Sequence, residues 1–273
     1  MRITVLNENT VYKKRLLGEH GLSFIIEYKD KKLLMDTGQS DVFIKNAETL
    51  GVNLDDLDGI IISHGHYDHG GGLKYIGSLK NIPSVFVNKK ALISKYSTNY
   101  KNGKFYFNGI DYDSVDCIKD NIVYTKDTDE IFKDMYLVSN IPCSDNSERV
   151  SSRFFLKDNN RFIPDFMKDE QVFVIDTKDG LALFAGCAHV GIMNIINYVK
   201  EIFSGKSIYL LFGGMHLINV DAGRIEQTTA FLKKENIRYI MPCHCTGYTA
   251  AVYMAKELKD NFVSVECGKI LEI

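Results

Sequence analysis

A short apolar run that ends on a cluster of histidines limits most strongly what this chain can fold into. The run Gly59-Ile60-Ile61-Ile62-Ser63 has the length and the β-branched side chains of a buried strand. It leads directly into His64-Gly65-His66-Tyr67-Asp68-His69. Residues two apart do not share a helix face, whereas alternate side chains of an extended segment point the same way. The pattern predicts a buried strand whose end carries imidazole and carboxylate groups.

These groups are suited to binding metal ions. His64 and His66 are placed to bind one ion, and Asp68 and His69, just past the turn, are placed to bind a second. Imidazole and carboxylate ligands suit zinc, iron or manganese. The cofactor prediction is therefore two divalent metal ions, zinc first, with iron or manganese as the other candidates. A solvated polar loop is the alternative, and so dense a cluster after an apolar strand argues against it.

Composition narrows the class of protein. The chain has 273 residues, of which 45% are hydrophobic and 25% charged, and a net charge of −2. This charge disfavours nucleic acid as a partner, because phosphate binding needs clustered Lys and Arg. The sequence has no apolar run of about 18 residues that could cross a bilayer. The short apolar stretch at residues 1–6 is expected to be a strand and not a signal peptide. We expect a cytoplasmic protein with free cysteines and a small-molecule substrate, away from membranes, with a homo-oligomer left open.

Alternating strand and helix patterns indicate the α/β class. Predicted strands cover residues 3–6, 22–28, 32–35, 59–63, 84–87, 171–176, 181–185, 207–212 and 238–241. Predicted helices cover residues 41–50, 190–202, 222–235 and 248–258. Two sheets face to face with helices outside would accommodate this rhythm in one domain, residues 1–273. Residues 95–130, rich in Tyr, Asn, Asp and Lys, predict an insertion or lid, with a surface loop without a role as the alternative.

Three further histidines follow predicted strands in the second half. His189 and His244 each come shortly after an apolar run. Taken alone, each is as well explained by a structural role, but the first cluster lacks ligands to complete two sites, so both are predicted ligands. His216, in Gly213-Gly214-Met215-His216-Leu217, is a candidate for metal binding, substrate binding or support of the site. Ligands of α/β folds gather at strand ends, so these residues predict one site.

The motifs resemble a known family. The pattern of residues 64–69 resembles the HxHxDH signature of the metallo-β-lactamase superfamily, and Leu33-Leu34-Met35-Asp36-Thr37-Gly38 resembles its first motif. Four stretches resemble the subfamily named for 7,8-dihydropterin-6-methyl-4-(β-D-ribofuranosyl)aminobenzene 5′-phosphate synthase: Gly18-Glu19-His20-Gly21-Leu22-Ser23, Gly186-Cys187-Ala188-His189-Val190-Gly191-Ile192, Gly213-Gly214-Met215-His216-Leu217 and Pro242-Cys243-His244-Cys245-Thr246-Gly247. The resemblance covers the chain from about Asn7 to its end, apart from the insertion.

The resemblance implies an αββα sandwich of two mixed sheets with the site at the sheet edges. It implies one ion bound by His64, His66 and His189, and another bound by Asp68, His69 and His244. Many binuclear members have a bridging aspartate in a Gly-Asp pair, where this chain has Gly186-Cys187. Cys187, a nearby histidine or water alone would then replace the bridge, and Cys187 is expected beside the ligands.

The expected chemistry is hydrolysis by a metal-bound hydroxide of a small, possibly phosphorylated substrate. Asp68 would orient the hydroxide, and His216 and His20 would contact a phosphate or protonate a leaving group. Glu19 and Ser23 are candidates for substrate binding, with a loop-structuring role as the alternative. Asp36 is expected to support the metal-bearing loop by hydrogen bonds.

Alternatives of other classes remain open. The same fold carries phosphodiesterases, lactonases, thioesterases, sulfur dioxygenases and diiron oxidoreductases, and the subfamily name implies a synthase-type transferase of pterin chemistry. A metal-binding or ligand-binding protein without turnover is a second alternative, although a structural zinc site would be closed by four ligands. Cys243 and Cys245 could also act as redox groups or thiolate ligands, with simple packing of a turn as the other interpretation.

Overall fold

The computed structural model describes residues 1–99, 102–145, 147–159 and 161–273. These residues divide between two structural units. Unit 1 comprises Met1–Thr125, Ser152–Asp169 and Val265–Ile273, and unit 2 comprises Lys126–Ser151 and Glu170–Ser264. Unit 1 contains two sheets and unit 2 contains one, and each unit has its own set of parallel strands.

The secondary structure of the described residues is as follows. The strands are β1 (Arg2–Asn7), β2 (Ser23–Tyr28), β3 (Lys31–Met35), β4 (Gly59–Ile62), β5 (Val85–Asn88), β6 (Lys95–Thr98), β7 (Phe105–Phe107), β8 (Ile122–Thr125), β9 (Thr128–Phe132), β10 (Met135–Val138), β11 (Phe154–Asp158), β12 (Arg161–Pro164), β13 (Val172–Thr177), β14 (Gly180–Ala185), β15 (Ile208–Gly214), β16 (Tyr239–Cys243) and β17 (Ile270–Glu272). The α-helices are α1 (Val42–Leu50), α2 (Tyr67–Gly70), α3 (Tyr112–Ile118), α4 (Ile192–Ile202), α5 (Ala222–Lys234) and α6 (Tyr248–Leu258). Short 3₁₀ helices cover Gly71–Ser78, Lys89–Leu92, Lys119–Asn121, His244–Thr246 and Lys259–Asn261.

The large sheet of unit 1 has the strand order β17-β1-β2-β3-β4-β5-β8. Strands β3, β4, β5 and β8 are parallel, and the others are antiparallel. All four residues of β4 are buried, as its unbroken apolar sequence predicts. Helix α1 packs Phe43 and Ala47 into the same core and ends at Gly51, whose φ of 69° is the left-handed conformation of a helix C-cap. The parallel strands deliver the segments that follow β3 and β4 to one edge of the sheet.

The segment predicted as an insertion is largely regular structure. Strands β6 and β7 form a second, antiparallel sheet of unit 1 with β11 and β12, in the order β12-β11-β6-β7. Helix α3 and strand β8 lie in the same stretch, and β8 joins the large sheet. Tyr100 and Lys101 of this segment lie outside the described residues. The segment thus has more strand content than its polar sequence indicated, and its role as a lid stays a prediction.

Unit 2 is built on a sheet of order β16-β15-β14-β13-β10-β9. Strands β14, β15 and β16 are parallel, and the remaining pairs are antiparallel. Helices α4, α5 and α6 lie close to their predicted positions, and α6 matches its predicted range. Within the described ranges, no helix is long and apolar enough to span a membrane. The three parallel strands place the segments after Ala185, Gly214 and Cys243 at one edge of this sheet.

Candidate metal centre

The carboxyl ends of β3 and β4 bring Asp36 and Ser63 together in unit 1. Asp36 accepts hydrogen bonds from the Ser63 amide at 2.8 Å and from Ser63 Oγ at 2.7 Å. Its Oδ2 also lies 2.6 Å from His69 Nδ1. A carboxylate at Nδ1 fixes the orientation of the imidazole and favours the tautomer in which Nε2 carries the lone pair that can bind a metal ion. These contacts are the kind that the predicted supporting role of Asp36 requires, and that role stays a prediction.

The imidazoles of His64, His66 and His69 form one buried group. His64 Nε2 lies 3.0 Å from His66 Nδ1, and the rings of His64 and His69 are 4.2 Å apart between centroids. Burial lowers the pKa of His66 to about 3. Burial and the neighbouring His69 and His66 lower the pKa of His64 well below its ordinary value. Both rings are therefore neutral at physiological pH, which is the protonation state that binds metal.

Asp68 and His20 form a pair beside this group. Asp68 is buried, and its Oδ2 lies 3.1 Å from Nε2 of the half-exposed His20.

Glu19, a predicted substrate-binding residue, accepts hydrogen bonds from the Gln39 amide at 3.1 Å and from Ser40 Oγ at 2.6 Å. These contacts are those of a loop-structuring residue, the alternative considered for Glu19. Ser23 is fully buried, and none of the described residues hydrogen-bonds its hydroxyl.

A buried ion network that the sequence did not reveal braces the His64–His66 loop. The Gly65 amide donates a 2.7 Å hydrogen bond to Oδ2 of Asp169. The other oxygen of Asp169 accepts from Lys95 Nζ at 2.7 Å, and Lys95 also reaches Asp165 at 2.6 Å. Gly65 has to be glycine here, because a Cβ would lie 2.0 Å from the Ala91 carbonyl oxygen. The loop is thereby fixed through its backbone, by contacts that do not involve its imidazoles.

The second sheet of unit 1 also contacts this loop. The Tyr67 amide donates to the Asn108 carbonyl at 3.1 Å, and His66 forms an isolated antiparallel bridge with Gly109. The ring of Phe154, at the start of β11, lies 4.9 Å from the His66 ring. The predicted insertion therefore supports the histidine loop from the side, in addition to any role in covering it.

Unit 2 gathers a second set of donors at the ends of its parallel strands. Cys187 and His189 follow β14, His216 follows β15, and His244 and Cys245 follow β16. The donor atoms of Cys187, His189 and His216 all lie within 4.8 Å of one another, and so do those of Cys187, His244 and Cys245. His189 and His216 stack with ring centroids 4.2 Å apart. The predicted second-half ligands thus lie together, and Cys187 joins both groups.

Unusual backbone conformations coincide with these donors. Ala188, His216 and His244 have φ values of 54°, 46° and 51°, and Asp36 in unit 1 has 55°. Left-handed conformations of non-glycine residues cost of the order of 1 kcal/mol or more each and concentrate at functional sites. The strand ends are therefore shaped to present side chains at some cost in stability.

The thiol of Cys245 has an unusual environment within unit 2. Burial raises its pKa, but hydrogen bonds with Cys187 and His216 and the proximity of His244 lower it more, so that the Cys245 pKa lies well below the ordinary thiol value. Its sulfur accepts a hydrogen bond from the His216 amide at 3.3 Å. Such surroundings favour the thiolate, which is the form of cysteine that binds metals.

Glu170 is a second supporting residue that the sequence did not reveal. Its carboxylate accepts from the His189 amide at 2.8 Å and from the Val190 amide at 2.9 Å, and so fixes the segment after β14. Lys95, Asp165, Asp169 and Glu170 carry no spacing signal, because their partners are distant in sequence. A polar run directly before the apolar strand β13 was the one local sign for Asp169 and Glu170.

The donor chemistry of both units fits divalent metal ions. Buried neutral imidazoles, a carboxylate and thiols are the ligand types that zinc and iron bind in proteins. Burial of such groups is costly unless they are paired, and a cation would add a partner to the contacts that they already make. Unit 1 offers His64, His66, Asp68 and His69, and unit 2 offers His189, His216, His244 and the two cysteines.

Known proteins of one family match the chain over its length. The family model for the metallo-beta-lactamase superfamily matches residues 17–199. An uncharacterized protein of Methanocaldococcus jannaschii is 31% identical over 275 residues, 99% of this chain and 100% of the relative. The 7,8-dihydropterin-6-methyl-4-(beta-D-ribofuranosyl)-aminobenzene-5'-phosphate synthase of the same organism is 28% identical over 289 residues, 98% of this chain and 95% of that protein.

A solved structure of the same superfamily also matches the chain. The crystal structure of Tm1679, described as a metal-dependent hydrolase of the beta-lactamase superfamily, is 33% identical, covers 100% of this chain and 99% of its own, and superposes with a TM-score of 0.86. The predicted α/β class and the metallo-β-lactamase fold are thereby confirmed, while the roles of individual residues stay predictions. The chain belongs to the metallo-beta-lactamase superfamily.

Proposed function

We propose that this chain is a metal-dependent hydrolase of a small-molecule substrate, with phosphate esters as the first class to test. The observation that carries the proposal is the buried group of His64, His66 and His69, whose rings lie beside the carboxylate of Asp68. The description of Tm1679 as a metal-dependent hydrolase, at 33% identity, supports the same reaction class.

The ligand set implied by the resemblance is part of this proposal. One ion would be held by His64, His66 and His189, and the other by Asp68, His69 and His244. We propose zinc, with iron or manganese as alternatives, because imidazole and carboxylate suit all three. When bound, the ions would polarise the scissile group and lower the pKa of water toward 7.

Asp68 and His20 are proposed to handle protons. Asp68 Oδ2 would accept a proton from the attacking water, and His20 Nε2, 3.1 Å away, would carry it toward solvent or the leaving group. The half-exposed position of His20 suits this exchange, since one side of its ring reaches water. His216 is proposed to contact the substrate, and Asp36 to keep the His69 ring in its binding orientation through the contact at Nδ1.

A synthase-type transferase is the second candidate function. The observation in its favour is the 28% identity, over 98% of this chain, with the dihydropterin ribofuranosylaminobenzene phosphate synthase. The two candidates differ in whether water or a second substrate accepts the transferred group. Analysis of products with and without a pterin acceptor separates them, because only a transferase forms a condensed product.

The test begins with metal content measured by plasma mass spectrometry on protein purified without added metal. We expect close to two ions per chain. Phosphodiesters, phosphomonoesters, thioesters and lactones are then screened with wild type, Asp68→Asn and His216→Ala. Asp68→Asn should abolish turnover while the protein still folds, and His216→Ala should lower turnover with metal content unchanged. Absence of bound metal after reconstitution, or full activity of Asp68→Asn, would refute the proposal.

A further inference from the structure

We propose that Cys187 and Cys245 are thiolate ligands of the ion that His244 is predicted to bind. This assignment gives that ion sulfur donors from unit 2 in addition to an imidazole. It rests on the proposed function only in requiring that a divalent cation binds. The six ligands carried over from the family resemblance contain no sulfur atom, and Cys187 entered there only as one of three replacements for a bridging aspartate. Cys245 is not part of that set, so spectroscopy that counts sulfur ligands distinguishes the two assignments.

The three donor atoms are already gathered. Cys187 Sγ, Cys245 Sγ and one ring nitrogen of His244 lie within 4.8 Å of one another, and all three residues are at most 5% exposed. Bonds of about 2.3 Å to sulfur and about 2.0–2.1 Å to nitrogen place tetrahedral ligand atoms roughly 3.5–4 Å apart. The group therefore needs displacements of under about 1 Å to close around an ion.

The backbone is arranged to bring both residues of the His244-Cys245 pair to one point. Neighbouring side chains of an extended strand point to opposite faces. His244, directly after β16, has a φ of 51°, and this left-handed turn lets both residues offer donors to the same group. The turn is strained for a non-glycine residue, and a shared ligand would account for that strain.

Gly214 and the amide of His216 give the Cys245 sulfur both space and a hydrogen-bond donor. A Cβ on Gly214 would lie 2.5 Å from this sulfur, so the residue at the end of β15 has to be glycine for Cys245 to occupy its position. The amide of His216 donates to the same sulfur at 3.3 Å. An N–H donor stabilises a sulfur that carries negative charge, as a metal thiolate does.

The structure selects a different cysteine pair from the one that the sequence suggested. Cys243 and Cys245 are neighbours in the Cys-x-Cys pattern, but among the described residues Cys243 belongs to no group of closely spaced donors. Cys187, far away in sequence, takes that place. Sulfur ligands would favour zinc over manganese at this position, because thiolates prefer softer ions.

X-ray absorption of the zinc-loaded full-length protein and near-ultraviolet spectra of the cobalt-loaded protein test this assignment. We expect zinc–sulfur scattering at about 2.3 Å and thiolate-to-cobalt charge-transfer absorption. Cys187→Ser and Cys245→Ser should each remove about half of both signals. Cys243→Ser is the matched control, since it replaces a buried cysteine of the same segment and should leave both signals unchanged.

The outcomes separate this inference from the proposed function. Bound zinc with nitrogen and oxygen scattering alone would overturn the thiolate assignment and leave the hydrolase proposal standing. A signal that Cys243→Ser abolishes, and Cys187→Ser does not, would also overturn it. Failure to bind any cation would overturn both proposals. The wild-type spectrum shows whether zinc has sulfur ligands even if a serine variant fails to fold, because it is measured on the unaltered protein.

Discussion

The carboxylate of Asp169 accepts the amide hydrogen of Gly65 at 2.7 Å, and so ties the middle of the His64–His66 loop to a residue 104 positions later in the chain. Its second oxygen binds Lys95. The next residue, Glu170, accepts the amide hydrogen of His189 in unit 2 at 2.8 Å. Two consecutive carboxylates thus each fix the backbone of one histidine-bearing segment, and neither contacts an imidazole donor through these bonds.

We expect Asp169→Asn to weaken metal binding by about 10- to 100-fold, the range found for residues that orient metal ligands. The asparagine keeps one acceptor but loses the charge that Lys95 needs, and breaking a buried pair costs about 3–5 kcal/mol. Chelator competition measures the affinity, and urea unfolding measures the stability.

Asp165→Asn is the control for that prediction. Asp165 pairs with the same lysine at 2.6 Å and is similarly buried, but its contact to the backbone is with Met167. Its loss should lower the free energy of unfolding with a smaller change in metal affinity. Equal effects of the two variants on affinity would show that Asp169 acts through general stability alone.

Asp36→Asn should weaken metal binding about 10- to 100-fold, because an amide at this position no longer fixes His69 with Nδ1 protonated. The contact concerned is the 2.6 Å approach of Asp36 Oδ2 to His69 Nδ1. Thr37→Val, which removes the neighbouring hydroxyl that donates to the His69 carbonyl and not to its ring, should change the affinity much less. Isothermal titration with zinc measures both, and similar losses would contradict the role given to Asp36.

Glu170→Gln should lower the free energy of unfolding of the metal-free protein by about 1–3 kcal/mol. A glutamine offers one acceptor oxygen, so either the His189 or the Val190 amide loses its buried partner. Urea denaturation measures the change. Glu235→Gln, at a partly exposed pair with Lys200, is the control and should cost less than about 1 kcal/mol.

Cys267 should make stability fall at high pH. Burial raises the pKa of its thiol to about 12, from an ordinary value of 9.0. The unfolded thiol therefore ionises first, so its contribution to stability is complete below pH 9 and is lost as the pH rises from 9 to about 12. Wild type should lose up to about 4 kcal/mol more than Cys267→Ala across this interval.

Urea unfolding at several pH values under reducing conditions measures that difference. Cys117→Ala is the matched control, because Cys117 is exposed. The control should follow the pH profile of wild type. Parallel profiles for wild type and Cys267→Ala would show that the Cys267 thiol ionises alike in the folded and unfolded chains.

Elements with a clear local pattern were predicted correctly. Helix α6 spans its predicted residues, and β13 and β14 lie within one residue of the strands predicted at residues 171–176 and 181–185. The stretch from β9 to β12 was not predicted, because its strands are short and partly exposed and depend on their partners. Whether a residue favours a strand depends more on the side chains packed beside it than on the residue itself.

The sequence by itself determined that donor residues follow buried strands, since apolar runs and the histidines after them are adjacent in the chain. It identified the family, and with it the fold and the first ligand candidates. Only the tertiary structure decided which distant groups support them. Lys95 lies in a polar segment, yet it is 1% exposed because Asp165 and Asp169, 70 and 74 residues later, neutralise it.

The pairing of Cys187 with Cys245 was likewise decided by the sheet of unit 2, where parallel strands bring their ends to one edge. The physical reason is the same in both cases. Periodicity and strand-end motifs involve residues that are close together in the chain, so they can be recognised in the sequence. Buried charges and clustered thiols depend on contacts between distant segments, and these exist only after the strands have paired.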